Sequence, residues 1–501
     1  MNLRMMLGRT VQQYGNKTAI IMGERKLSYA QLDTDSDKVA NKLLQLGLKR
    51  GDRVALLISN IPEFAVIYFG IVKIGATAVP LDTRYTITEL TSLFGNAQPR
   101  MLMAESGYIE PLIPHLPQFK SIERVIDVSS KLTQFLTYQE IMATGSTLEV
   151  TVEVTPQDVA HITYTSGSTG HPKGVVLTHH SLIAHAATTV EGFELTDRDI
   201  MVMFALPMYH AFGLSIILLS SVFIGETVVI VPGLSIDNLL STIEKEKVTV
   251  FMGVPYTFVL AVNEVEQREL KYDVSSLRLC IAGGSALAAE TARRFKQCYQ
   301  RDIAQIWGLT EAVAQNTVQP LDGSGKLCSC GWPMSGWKLK IVDDAGRELP
   351  PNQPGLVLVG GPFMPGYFNN PEATAQIIKD GWLDTGDIGR IDEDGEFFML
   401  ARKKEIIIVK GQNVVPLDIE EVLYTHPAVA EAAVVGVDDE LRGEKIRAVV
   451  SLKPGANVTE RELKDYCRKY MATFKVPKEI IIMSNLPRTA TGKIRKAELR
   501  S

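Results

Sequence analysis

Over its first 400 residues the chain repeats one pattern: a short run of β-branched and aliphatic residues, then a longer stretch whose apolar positions recur at helical spacing. "RVALLIS" (Arg53 to Ser59) predicts a strand, and "PEFAVIYFGIVKIG" behind it predicts a helix with Pro62 in the first turn, where a missing N–H costs nothing. "TVVIV" (Thr227 to Val231) precedes "SIDNLLSTIEKEK", where Ser235 is placed to cap a helix. "VTVFM" precedes "PYTFVLAVN" and "LRLCIAGG" precedes "ALAAETARRFKQ" in the same way. Such alternation predicts an α/β fold of parallel-rich sheets flanked by helices. After Gly331 the strands shorten and turns such as "DDAG" (Asp343 to Gly346) and "DEDG" (Asp392 to Gly395) appear, which predicts a small β-rich subdomain. Beyond Arg402 the order strand, helix, strand, strand, helix, strand predicts a compact α+β module. The expected division is a large N-terminal domain, 1–402, and a small mobile C-terminal domain, 403–501.

Met201 to Gly225 carries no Asp, Glu, Lys or Arg. Pro207 and His210 break it into a strand-like run and a helix-sized run, so buried core is expected there and not a membrane span. At 501 residues the chain exceeds one hydrophobic core, and 46% hydrophobic with 22% charged residues is an ordinary globular composition. The net charge of −5 offers no surface for nucleic acid. Its distribution is uneven: from Ala401 onward 19 Lys and Arg face 14 Asp and Glu, a balance of +5, leaving −10 on the first 400 residues. A basic terminal module suits a polyanionic ligand. Five cysteines in no disulfide pattern, and a start lacking a secretory signal, predict a reducing, cytoplasmic setting. Cys328 and Cys330 have no nearby His or Cys to complete a metal site.

The candidate chemistry starts at "YTSGSTGHPKG", Tyr164 to Gly174. Its glycines let the backbone approach an anion, and Thr165, Ser166, Ser168, Thr169 and Lys173 surround phosphate oxygens with hydroxyl and ammonium groups. Strand-like "HITY" before it and "VVLTHH" after it predict a hairpin, unlike a Walker loop, which feeds a helix.

This stretch resembles the signature loop of the acyl-adenylate-forming superfamily, and further segments resemble that family's motifs in order. They are "KIGATAVPLD" (Lys73 to Asp82), "LPMYHAFGL" (Leu206 to Leu214), "AGGSAL" (Ala282 to Leu287), "IWGLTEA" (Ile306 to Ala312), "GWLDTGD" (Gly381 to Asp387), "RKKEIIIVKGQNVVP" (Arg402 to Pro416) and "PRTATGK" (Pro487 to Lys493). The resemblance spans the chain and is closest in wording to fatty-acid CoA ligases. It implies that a carboxylic acid is converted with ATP to acyl-AMP and then transferred to the thiol of coenzyme A, with Mg²⁺ on the phosphates.

Residue by residue, the resemblance implies Lys493, Thr310, Glu311 and His210 as catalytic, Glu311 also holding the metal. For the nucleotide it implies the loop with Gly167 and Gly170, then Gly283, Gly284 and Ser285 against one side of adenine, and Trp307 with Gly308 against the other. Asp387 is implied for the ribose, Arg402 for ribose or phosphate, Lys404 as the pivot of the C-terminal domain and Gly411 beside the thiol arm. Ala401 stands where relatives usually carry glycine, and "KGQN" keeps one glycine of a usual pair.

The acyl pocket is expected from Ala205 to Ser215, Val254 to Val262 and Gly308 to Gln319, which hold no acidic residue besides Glu311 and so cannot balance the ammonium group of an amino acid. Phe204, Leu206, Met208, Phe212, Leu214, Tyr256 and Phe258 are the expected lining for an aliphatic tail. The expected activity is therefore that of a medium- or long-chain fatty acid CoA ligase, with an aryl or alicyclic acid, or a carrier-protein thiol, as the alternatives.

Overall fold

In a computed structural model of the chain, residues 1–165, 172–268, 270–409, 411–439, 443–489 and 492–500 are described below. A nine-stranded sheet runs in the order Trp332–Pro333, Thr317–Val318, Ile303–Trp307, Leu279–Ala282, Val250–Gly253, Ile200–Phe204, Thr227–Val231, Thr18–Met22, Arg25–Ser28. Its six middle strands, from Ile303–Trp307 to Thr18–Met22, pair in parallel, and the edges turn antiparallel. A second, seven-stranded sheet centres on Arg53–Leu57, with Thr77–Pro80 and Met101–Ala104 beside it in parallel. Its edge is the antiparallel hairpin of Val159–Thr165 and Lys173–Thr178, as the sequence predicts.

Strand periodicity decides what lies between these sheets. Met201 and Met203 face the largest core together with Leu56 and Met103, whereas Val202 and Phe204 face a separate core on the outer side of the nine-stranded sheet. The helix Pro62–Lys73 fills the middle layer, buried on nearly every side because sheets and helices cover it all round. Its last residue, Lys73, is 2% exposed and forms ion pairs of 2.7 Å with Asp33 and Asp37 of the helix Tyr29–Gln45. A buried ammonium requires such paired carboxylates.

The helix after Thr227–Val231 is Ile236–Glu246, and the Ser235 hydroxyl accepts from the Asn238 N–H as predicted. The charge-free stretch forms the strand Ile200–Phe204, a wide π-helix Phe212–Leu219 and a short helix Ser220–Ile224, nearly all buried. No helix among the described residues is long and apolar enough to cross a membrane.

The β-rich portion is a third sheet built on Lys338–Val342, Gly355–Gly360, Trp382–Ile391 and Phe397–Arg402. A fourth sheet begins at Ile407 and has its own core of Ile407, Val414, Ile419, Val434, Val450 and Leu463. The single strand expected at its start is a hairpin, Ile407–Val409 with Gln412–Val414, because Gly411 turns the chain back after three residues.

Candidate active site

Parallel strands end their carboxyl termini along one edge, and in open α/β sheets ligands bind at that edge. Here Val250–Gly253, Leu279–Ala282 and Ile303–Trp307 bring Val254, Gly283–Gly284 and Gly308 together. Gly283 is buried, and a Cβ on it would lie 2.5 Å from Ile306; Gly284, at φ 87°, and Ser285 are exposed at the lip.

The C-terminal strap enters this cleft. Arg488 lies over the Tyr256 ring at 3.7 Å, a Cβ on Gly492 would be 3.0 Å from Val254, and a Cβ on Gly284 would be 3.4 Å from Lys493 Cε. Lys493, distant from the others in sequence, thus stands at the strand ends. Burial, reinforced by the nearby Arg402, lowers its ammonium below the ordinary lysine value, while Asp387 and Glu311 oppose that shift. His210 faces the same charge: burial first, then Lys493, lowers its imidazole to about 4, so it is neutral near pH 7. Its Nδ1 accepts from the Phe212 N–H at 3.4 Å, leaving Nε2 as the N–H.

Thr310 and Glu311 form the first two residues of a short 3₁₀ turn, Thr310–Ala312, and both are half-buried. The Tyr367 hydroxyl donates to Glu311 Oε1 at 2.7 Å. The same ring lies 5.0 Å from Lys173 Nζ, so one tyrosine ties the carboxylate to the start of the strand Lys173–Thr178. Thr165 pairs with Lys173 across the hairpin. Ser166, Gly167, Ser168, Thr169 and Gly170 lie outside the described residues. Glu311 fits a Mg²⁺ ion, which takes one or two carboxylate ligands and shares its other positions with phosphates and water.

Two residues expected at the nucleotide pocket touch each other. Trp307 is 7% exposed, packs edge-on against Phe397 at 4.9 Å, and donates its Nε1–H to Asp387 Oδ2 at 3.0 Å. Asp387 Oδ2 accepts that bond, whereas Oδ1 lies 2.9 Å from Arg402 Nε as an ion pair and is buried with no hydrogen-bond partner among the described residues. Burial raises the Asp387 carboxyl to about 6, against the opposing pull of Arg402 and Trp307. Gly308 is shaped by close packing as well: a Cβ would sit 1.9 Å from the Ala314 carbonyl oxygen, so the chain can double back there only without a side chain.

Lys404 is exposed in the short turn Lys403–Glu405 between the third and fourth sheets. At Gly411 a Cβ would meet nothing within 4 Å, so in this arrangement the glycine answers to its φ of 79° and not to crowding. The expected acyl lining divides: Leu206, Met208, Phe212 and Leu214 join the inter-sheet core, whereas Phe204 and Phe258 belong to the core behind the nine-stranded sheet. Alternation along the strand Ile200–Phe204 puts Phe204 on that far face. Sequence reasoning missed Tyr367 and Arg488, whose roles depend on contacts with residues 56 and 232 positions away.

Residues 7–368 match the family of AMP-binding enzymes and residues 418–493 the AMP-binding enzyme C-terminal domain, and the chain belongs to this adenylate-forming family. It is 32% identical to a long-chain-fatty-acid–CoA ligase of Bacillus subtilis (strain 168) over 99% of this chain and 94% of that protein. It is also 32% identical to 4-coumarate-CoA ligase 1 of Narcissus pseudonarcissus over 98% of this chain and 92% of that one. Among solved structures, the anthranilate CoA ligase AuaEII in complex with anthranoyl-AMP superposes with a TM-score of 0.93 at 30% identity, covering 100% of this chain and 96% of that one. Within the family the chain is an acid–thiol ligase, an acyl-CoA synthetase that uses a carboxylic acid, ATP with Mg²⁺, and coenzyme A.

Proposed function

We propose that the chain ligates coenzyme A to an acid whose body is uncharged and mainly apolar, with a medium- or long-chain fatty acid as the first class. The observation that carries this reading is Lys493: a half-buried ammonium delivered by the strap to the strand ends, beside neutral His210 and opposite Glu311. Without anions this cation is poorly compensated; a carboxylate and a triphosphate together supply the missing charge.

In the first half-reaction a carboxylate oxygen bonds to the α-phosphorus of ATP, the bond from that phosphorus to the bridging oxygen breaks, and pyrophosphate leaves with the electron pair. Lys493 holds the attacking carboxylate and the α-phosphate, with the His210 Nε2–H directed at the carboxylate. Thr310 and Lys173 hold phosphate oxygens, and Asp387, positioned by Trp307, holds the ribose while Arg402 is shared between them. A Mg²⁺ ion held by Glu311 would neutralise phosphate charge. In the second half-reaction the coenzyme A sulfur bonds to the acyl carbon as the bond to the AMP oxygen breaks. We assign residues 403–501 as the domain that turns between the steps, Lys404 as its pivot and Gly411 as part of the thiol route.

Leu206, Met208, Phe212 and Leu214 support an apolar acid body, each buried methylene contributing about 0.8 kcal/mol. One observation favours a second reading, an aryl acid: Phe204 and Phe258, two of the expected lining residues, belong to the core behind the nine-stranded sheet. All five cysteines are unpaired, which supports a cytoplasmic setting. Incubation of the purified protein with ATP, coenzyme A and octanoate, palmitate or benzoate tests the proposal. Pyrophosphate release with matching loss of free thiol is expected for at least one acid, and release with none of them rejects it.

A further inference from the structure

Lys493 reaches the cleft on a short loop of the strap. The Thr489 N–H donates to the Lys493 carbonyl at 2.8 Å, the Lys493 N–H donates to Thr489 Oγ1 at 3.2 Å, and the Arg495 N–H donates to the Pro487 carbonyl at 2.8 Å. These bonds run within the strap, so they shape the loop without fixing where it sits against the large domain.

The half-buried side chain of Arg488 reaches out of the loop. Its guanidinium carbon lies 3.7 Å from the centre of the Tyr256 ring, while Nη1 donates to the Gly492 carbonyl at 2.7 Å and Nη2 donates to Glu431 Oε1. One planar cation thus joins three parts of the molecule. Glu431 is a buried carboxylate on the strand Val429–Asp439 of the fourth sheet, and Gly492 immediately precedes Lys493. Tyr256 opens the helix Pro255–Gln267, which follows the strand Val250–Gly253 of the nine-stranded sheet. Gly492 approaches the same tyrosine, since a Cβ there would stand 3.7 Å from Tyr256 Cβ and Cδ1. Glu431 and Gly492 belong to the small domain and travel with Arg488, whereas Tyr256 belongs to the large one. A turn of the small domain therefore keeps the first two bonds and breaks the ring contact. Arginine suits both tasks, because its face stacks on a ring while its edge still donates in plane; an ammonium group has no such face.

We infer that Arg488 is a positioning residue for the first half-reaction: its stack on Tyr256 seats the strap so that Lys493 stands at Gly284, and it gives way when the small domain turns. This rests on the acyl-CoA ligase reading and the domain rotation proposed above. Tyr256, expected to line the acyl pocket, serves here as the ring on which the strap docks.

Arg488→Lys tests this, because it keeps a positive charge beside Glu431 and loses the plane. The acid is whichever of octanoate, palmitate and benzoate the wild-type enzyme activates fastest. In single turnovers the maximal rate of acyl-AMP formation is expected to fall by about tenfold, with the half-saturating acid concentration unchanged within about twofold. Thioester formation from preformed acyl-AMP and coenzyme A should stay within about twofold of wild type. A ring contact also demands coupling between the two positions. In a Tyr256→Leu background the lysine replacement should cost less than about twofold further, whereas in Tyr256→Phe, which keeps the ring face, it should again cost about tenfold. The same cost in the Leu, Phe and wild-type backgrounds, or an equal loss in both half-reactions, overturns the inference and leaves Arg488 as a partner of Glu431 alone. Pyrophosphate release by the wild-type enzyme with none of the three acids instead rejects the reading proposed above, and this inference with it.

Discussion

Lys493 illustrates how much a single residue owes to its surroundings. In sequence it is one of many lysines near a basic terminus, but in the structure burial and Arg402 lower its proton affinity while Asp387 and Glu311 oppose that shift. An ammonium in that setting favours arriving anions more than an exposed one can. Lys493→Ala is therefore expected to lower acyl-AMP formation from acid and ATP by at least a hundredfold. The same variant, given preformed acyl-AMP and coenzyme A, should make thioester at close to the wild-type rate. An equal loss in both assays would place Lys493 outside the first step. Trp307 teaches the complementary point: its indole N–H positions Asp387, a contact that an aromatic stacking role did not suggest.

At the scale of elements, the turn from the helix Ser220–Ile224 into the strand Thr227–Val231 carries a buried acid, Glu226, that the reaction does not need. Ser221 Oγ donates to its Oε1 at 2.6 Å, Tyr29 donates to its backbone carbonyl at 2.5 Å, and Lys17 Nζ donates to the Gly225 carbonyl at 2.6 Å. These bonds fasten the N-terminal strand Thr18–Met22 to the nine-stranded sheet. Burial pushes the Glu226 carboxyl from near 4.5 up to about 8. Because the folded state keeps a proton that the unfolded chain releases, this stability is full below about 4.5 and is lost as pH rises through about 8. Glu226→Gln should accordingly lose less stability than wild type between pH 5.5 and pH 8.5, read from urea unfolding midpoints. Parallel changes in both proteins would show that Glu226 does not carry this pH dependence.

At the scale of the whole molecule, the contacts of the fourth sheet and its strap with the first 400 residues include Arg488 on Tyr256, Glu421 Oε2 accepting from the Ala289 N–H at 3.4 Å, and Lys493 at Gly284. These contacts are the ones that the domain rotation proposed above would have to break. Lys404 sits in the exposed turn between the two parts, where a large backbone change disturbs no core. Lys404→Pro is expected to preserve acyl-AMP formation within a fewfold while slowing thioester formation by at least tenfold, because proline fixes φ near −65°. Thioester formation at the wild-type rate in that variant would remove Lys404 as the pivot.

Local chemistry settled much of this protein before any folding was considered. The strand and helix of Arg53 to Lys73, the Ser235 cap and the hairpin that carries Thr165 and Lys173 all follow from periodicity and turn residues, which act over a few positions. The motif residues Glu311, Asp387 and Lys493 were legible as candidates because they sit in distinctive short sequences. Tertiary structure alone decided which groups touch: Tyr367 on Glu311, Trp307 and Arg402 on Asp387, and Arg488 on Tyr256. It also decided that Phe204 and Phe258 face the core behind the nine-stranded sheet, since two aromatics of the same character lie on either side of a sheet according to register, which composition does not carry.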